Sequence, residues 1–202
     1  MRHSLFTKYL PTDHYKEGDI LAEHLYKMGY RNLGIVFNKK SDLSLEERKK
    51  GFLEYANEKN LVVKKYHLKS EYYISLEKII KYSEILGEKI LKSKNKPDAI
   101  FTSNDEMAVG IIKSAIKLGI KIPDELGIVG FDNSLSSILS PIPITTIRQK
   151  KENVAKEAFE AIMRKLQNSE IKIERFIEPE LIKWIQQTSG RKIYIGEIPG
   201  PV

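Results

Sequence analysis

PDAIFTSNDEMAVGIIKSAIKLGIKIPDELGIVGFDNSLSSILSPIPITTIRQ, residues Pro97 to Gln149, is the stretch that decides how this chain folds. Two short apolar runs, Ala99 to Thr102 and Leu126 to Phe131, have the make-up of buried strands, and each ends in a polar cluster: Ser103-Asn104-Asp105 and Asp132-Asn133-Ser134. Between them Met107, Ala108, Ile111, Ile112, Ala115 and Leu118 recur at helical spacing, and Gly119 supplies a natural stop. This is a βαβ unit, and a helical crossover makes its two strands parallel. Open parallel sheets bind ligands outside the carboxyl ends of their strands, so both polar clusters are candidate ligand-facing loops.

The same alternation extends toward the N-terminus. Glu17 to Met28 reads as a helix with Ile20, Leu21, Leu25 and Met28 on one face and Gly29 after it. Leu33 to Phe37 reads as a strand. Ser44 to Lys59 reads as a helix opened by the capping-box-like Ser44-Leu45-Glu46-Glu47. Val62 to His67 is a strand, and Leu76 to Leu91 is a third amphipathic helix. Unbroken β-α-β-α order predicts an α/β fold, a parallel sheet with helices on both faces.

The pattern changes beyond Phe131. Ser-Pro-Ile-Pro at 140 to 143 cannot be helical, because proline removes a donor and restricts the residue before it, so a crossover or hinge is expected there. Ile144 to Arg148 then reads as a short strand and Lys151 to Leu166 as a helix with Val154, Ala155, Ala158, Phe159, Ile162 and Leu166 on one face. Arg175 to Lys183 reads as a last strand, and 190–202 as a tail. No internal repeat is present.

With 202 residues and 41% apolar content the chain can bury a substantial core. No apolar run approaches the roughly 20 residues that span a bilayer, and the first residues show no cleavage pattern, so a cytoplasmic location without membrane contact is expected. The absence of cysteine excludes disulfides, thiolate metal sites and cysteine nucleophiles. A formal charge of +7 raises nucleic acid as a partner, yet the lysines alternate with glutamates along helices, as on an ordinary solvated surface.

An ordered series of short matches carries more weight than any one of them: Asp13-His14-Tyr15-Lys16-Glu17-Gly18, Ala22 through Tyr30, Arg48-Lys49-Lys50-Gly51-Phe52, Ser103 through Gly110, Ile122 through Asn133, and Thr145-Thr146-Ile147-Arg148-Gln149. In this order they resemble the C-terminal effector-binding domain of LacI/GalR-type transcription regulators, which have a type I periplasmic-binding-protein-like fold. Phe176-Ile177-Glu178-Pro179-Glu180-Leu181 is also similar to arabinose repressors that join such a domain to a GntR-type winged helix. The family's usual Arg-x-Ser ending is replaced by Ile182 through Ser189.

The resemblance implies one nearly complete lobe, 13–147 completed by 174–189, and a remnant of the other, 148–173. The family's helix-turn-helix and much of its first lobe are expected to lie outside this sequence. The helix 151–166, deprived of a sheet to cover, is expected to drive self-association or to be displaced.

Candidate ligand-binding residues follow from the motifs that match. Arg48 presents a fork of donors able to hold two ligand oxygens, each charge-assisted bond contributing about 1.5–3 kcal/mol; its ordinary reading is a surface arginine. Asn104 can cap a helix and also offer a donor and an acceptor to a hydroxyl, whereas Asp105 beside it is expected to be structural. Asp132 can accept from two adjacent hydroxyls or close an Asx-turn. Gln149 ends a strand where the chain changes lobes. Tyr72 and Tyr73 can wall a sugar face or pack in the core. His24 has no metal-like neighbours and is assigned no site role.

The resemblance thus implies the effector-sensing part of a regulator: a sugar-like small molecule as ligand, operator DNA contacted only through a head outside this sequence, a homodimer, and no cofactor or metal. A transport-associated sugar-binding protein shares the fold and is the alternative. No Gly-x-Gly-x-x-Gly, Gly-x-Ser-x-Gly, Walker loop or His-Glu-x-x-His occurs, so catalysis is not expected.

Overall fold

The structure, a computed structural model, describes residues 12–39, 42–69, 75–167 and 177–183. The elements alternate from the start: α1 (His14–Lys27), β1 (Asn32–Asn38), α2 (Leu43–Glu58), β2 (Val62–Leu68), α3 (Leu76–Leu91), β3 (Ala99–Thr102), α4 (Asp105–Lys117) and β4 (Gly127–Val129). They are followed by α5 (Leu135–Leu139), β5 (Thr146–Arg148), α6 (Lys151–Leu166) and β6 (Glu180–Ile182).

β1 to β4 form one parallel sheet in the order β2-β1-β3-β4. The chain leaves β1 for β2 on one side and returns to β3 on the other, which opens a crevice at the carboxyl ends of β1 and β3. The alternation of side chains along the strands divides the core in two. Leu33, Ile35, Phe37, Phe101 and Val129 face α1 and α2, where they meet Leu21, Leu25 and Phe52. Val36, Ile100 and Ile128 face α3 and α4, where they meet Ile79, Ile90, Met107 and Ile111. The Phe37 ring stands edge-on to Phe101 at 5.2 Å, and Phe52 stacks on Phe101 at 5.1 Å.

Side-chain caps start the helices α1 to α4. Asp13, Asp42, Ser75 and Asn104 each accept from the backbone N–H three residues on. The expected opening of α2 at Ser44 is therefore corrected: Asp42 takes the cap, accepting from Leu45 N at 2.9 Å. Gly29 and Gly119 adopt φ of +91° and +70°, the left-handed conformation that ends α1 and α4 as the sequence led one to expect.

The region after Phe131 is more irregular than a strand–hinge–strand pattern. A short helix, α5, precedes the proline-containing turn. Thr145 bridges Val129 in parallel, extending the sheet past β4, while β5 pairs antiparallel with β6 through Thr146–Ile182, Ile147–Leu181 and Arg148–Glu180. Over its described part the last strand thus pairs with β5, and Leu181 packs against the core that faces α1 and α2. α6 makes no extensive contact with another described element, and Phe159, Ile162, Met163 and Leu166 are exposed on it. The apolar face anticipated for this helix is thus left open.

Candidate functional site

A cavity of about 390 Å³ opens at the carboxyl ends of β1 and β3. Its lining includes Arg48, Asn104, Asp132 and Gln149, four positions drawn from α2, the head of α4, the loop after β4 and the segment after β5. Tyr72 and Tyr73, also expected to face a ligand, lie outside the described residues. Ser103, from the first of the two polar clusters, also lines it, and His14, Asn38, Asp42, Ser44 and Leu45 complete the lining without having been anticipated.

Arg48 is held from below. It is only 6% exposed, its Nε donates to Glu17 Oε2 at 3.1 Å, and its guanidinium lies 3.2 Å from the centre of the Phe131 ring. Burial lowers its pKa, while Glu17, Asp132 and Asp42 act in the opposite direction. Among the described residues its two terminal nitrogens have no hydrogen-bond partner. A rigid guanidinium thereby presents free donors to the cavity.

Glu17 was passed over in the sequence because it opens a helix, where acidic residues are commonplace. It is fully buried. One oxygen receives Arg48 and lies 3.0 Å from His14 Nδ1; the other accepts from Gln149 Nε2 at 3.1 Å. The available signal was its register: Glu17 sits four and eight residues before Leu21 and Leu25, on the inward face of α1.

Asn104 is the helix cap that was expected, and it stands at the cavity. Its Oδ1 caps α4 by accepting from Met107 N at 2.9 Å, and the residue also lines the cavity. Asp132 has φ of +98° and Asn133 +49°, a pair of left-handed residues that turns the loop sharply after β4. Burial raises the Asp132 pKa, opposed by Arg48 and Lys151.

Asp105 is the fastening of that loop. It is fully buried, Thr146 Oγ1 donates to its Oδ1 at 2.7 Å, and Ser134 N donates to its Oδ2 at 2.7 Å. Burial pushes its pKa up to about 7 against the pull of those two bonds, with Asp132 and Glu106 adding repulsion. Its structural assignment agrees with this setting. His24 lies away from the cavity, and its pKa is pushed down to about 4 by burial, then by Lys183 and Lys27.

Comparison with known proteins places this arrangement. Residues 22–186 match the family described as periplasmic binding protein-like domain. The chain belongs to that family. Within it, the relatives and structural neighbours identify a LacI/GalR effector-binding domain. The Bacillus subtilis (strain 168) protein NtdR, named as an operon regulator, is 33% identical over 145 residues, covering 72% of this chain and 43% of that protein. The Vibrio vulnificus (strain CMCP6) transcriptional repressor PurR is 30% identical over 173 residues, covering 84% and 50%. The chain spans about half the length of the curated relatives it matches.

The LacI/GalR fold is equally evident in solved structures. A dimeric Lac repressor with an 11-residue C-terminal deletion superposes with a TM-score of 0.74 at 18% identity, covering 91% of this chain and 62% of that one. A LacI family regulator from Lactobacillus casei with bound glucose gives 0.69 at 22% identity, covering 88% and 63%. These relatives are regulators by name rather than enzymes. No described helix is long and apolar enough to cross a membrane, and no group of three or more metal-ligating side chains is found among the described residues.

Proposed function

We propose that this chain is the effector-sensing portion of a LacI/GalR-type transcription regulator and that a small polyhydroxylated ligand occupies the cavity at the switch point. The supporting observation is the convergence of Arg48, Asn104, Asp132 and Gln149 from four separate segments on one polar cavity. Free guanidinium donors, a side-chain amide and a carboxylate together match the alternating donors and acceptors of adjacent hydroxyls. In this reading residues 13–147 with the last strand form one ligand-binding lobe, and 148–173 belong to the other. A cytoplasmic homodimer contacts operator DNA through a separate head.

Closure of two lobes selects one arrangement only through differential affinity, and shifting a 1:99 population to 99:1 requires about 5.5 kcal/mol. One lobe supplies only part of the contacts, so this chain alone binds weakly. The test is a titration of the isotopically labelled chain with neutral monosaccharides at millimolar concentrations, followed by amide shifts. Shifts clustering at Arg48, Asn104 and Asp132 support the reading. Their absence there, or submicromolar affinity in calorimetry, contradicts it.

A further inference from the structure

The cavity's charge points to a restriction on its ligand. Its one arginine is paired with Glu17, which is fully buried and is not a lining residue, while Asp132 and Asp42 line the cavity itself. Lys151 acts on Asp132 from the head of α6, but Glu106 acts there too with the opposite sign. The carboxylates of Glu17, Asp42, Asp132 and Glu106 thus outnumber the cations of Arg48 and Lys151 in these interactions. An arginine with free terminal nitrogens would ordinarily be an anion site. Here its charge is matched by a fully buried carboxylate 3.1 Å away, so its donors remain while its net attraction for an anion is removed.

We propose that Glu17 is the specificity-determining residue of this cavity, restricting Arg48 to uncharged polyhydroxylated ligands and excluding their phosphorylated or carboxylated counterparts. Glu17 does so without touching the ligand: it fixes Arg48 through Nε and Gln149 through Nε2, and its charge compensates the guanidinium. This rests on the reading of the cavity as a ligand site.

The experiment follows the Arg48 side-chain Nε–H resonance while the intact chain is titrated separately with inorganic phosphate, D-glucose 6-phosphate, and a set of neutral sugars comprising D-glucose, D-galactose, D-ribose and L-arabinose. In the native chain at least one neutral sugar is expected to move the signal, and neither anion is. In Glu17→Gln, which keeps the shape and removes the charge, phosphate is expected to move it with at least a tenfold lower Kd than in the native chain. Equal phosphate affinity in the two proteins overturns the role of Glu17. If no neutral sugar binds, the ligand-site reading fails, yet the phosphate comparison still decides whether Glu17 sets the charge preference.

A Glu17→Gln protein that does not fold leaves two measurements in force. Native chain that takes either anion as readily as a neutral sugar contradicts the proposal. Asp132→Asn, which leaves the buried pair intact, is expected to go on excluding phosphate; admission of phosphate there would transfer the selectivity to Asp132 and sink the inference.

Discussion

Gly18 of α1 lies so close to the carbonyl oxygen of Arg48 in α2 that a β-carbon at position 18 would overlap it. Gly51 meets the carbonyl of Tyr15 in the same way, so the two helices cross with backbone against backbone at both points. That crossing brings Glu17, next to Gly18, within hydrogen-bond range of Arg48. Overpacking a close contact costs about 1–3 kcal/mol. Gly18→Ala and Gly51→Ala are each expected to lower the unfolding free energy in urea by about 2 kcal/mol or more, with broadening of the Arg48 Nε–H signal. A loss below about 0.5 kcal/mol would show that the helices separate easily.

Asn104 combines two duties that can be separated by substitution. Its Oδ1 accepts from Met107 N, and the residue also lines the cavity. Asn104→Ser retains a good cap, so stability is expected to stay within about 0.5 kcal/mol while sugar-induced shifts weaken several-fold. Asn104→Ala removes the cap as well and is expected to cost about 1 kcal/mol in addition. Thermal unfolding and the sugar titration, run on both proteins, separate the two effects. Equal binding by Asn104→Ser and the native chain would leave Asn104 a cap only.

The sheet was legible because β1, β3 and β4 are buried along nearly their whole length: continuous apolar runs such as Leu33 to Phe37 and Ala99 to Thr102 have no solvent side to interrupt them. Leu76 to Leu91 matches α3 end to end, since Ser75 caps it and its apolar positions keep helical spacing. The start of α2 was misread because Asp42 and Ser44 are both good caps two residues apart, and local composition does not rank them. The site was half legible. Arg48, Asn104, Asp132 and Gln149 stood out through ordered motifs, but His14, Asn38 and Leu45 reach the cavity only through tertiary packing. Glu17 escaped notice because a buried glutamate at a helix start has the same local sequence as an exposed one.

Asp105 gives the fold a pH dependence of definite sign. Its folded pKa of about 7 lies above the ordinary 3.8, so the native state holds the proton more tightly than the unfolded chain. The stability this contributes is complete below the ordinary value, declines as pH rises between the two values, and is gone above the folded one. Asp105→Asn imitates the protonated form in charge. The stability of Asp105→Asn relative to the native chain is therefore expected to increase from about pH 4 to pH 7 and then level off, measured by urea unfolding across that range. A difference that stays flat would show that Asp105 is ionised throughout, with Thr146 and Ser134 outweighing burial.

The uncovered face of α6 sets the behaviour of this chain in solution. Phe159, Ile162 and Leu166 are 64%, 60% and 73% exposed and recur at helical spacing, which makes one contiguous apolar stripe rather than scattered surface residues. Stripes of this kind are seldom left in water by stable monomers. The chain is expected to self-associate with rising concentration in sedimentation velocity. Phe159→Glu combined with Ile162→Glu should restore a single slow species while leaving the cores on both faces of the sheet unchanged, because neither residue belongs to them. The Arg48 Nε–H resonance serves as the control for an intact lobe. A native chain that sediments as one monomeric species at every concentration, with that resonance in place, would mean that α6 is satisfied by a contact within the same molecule.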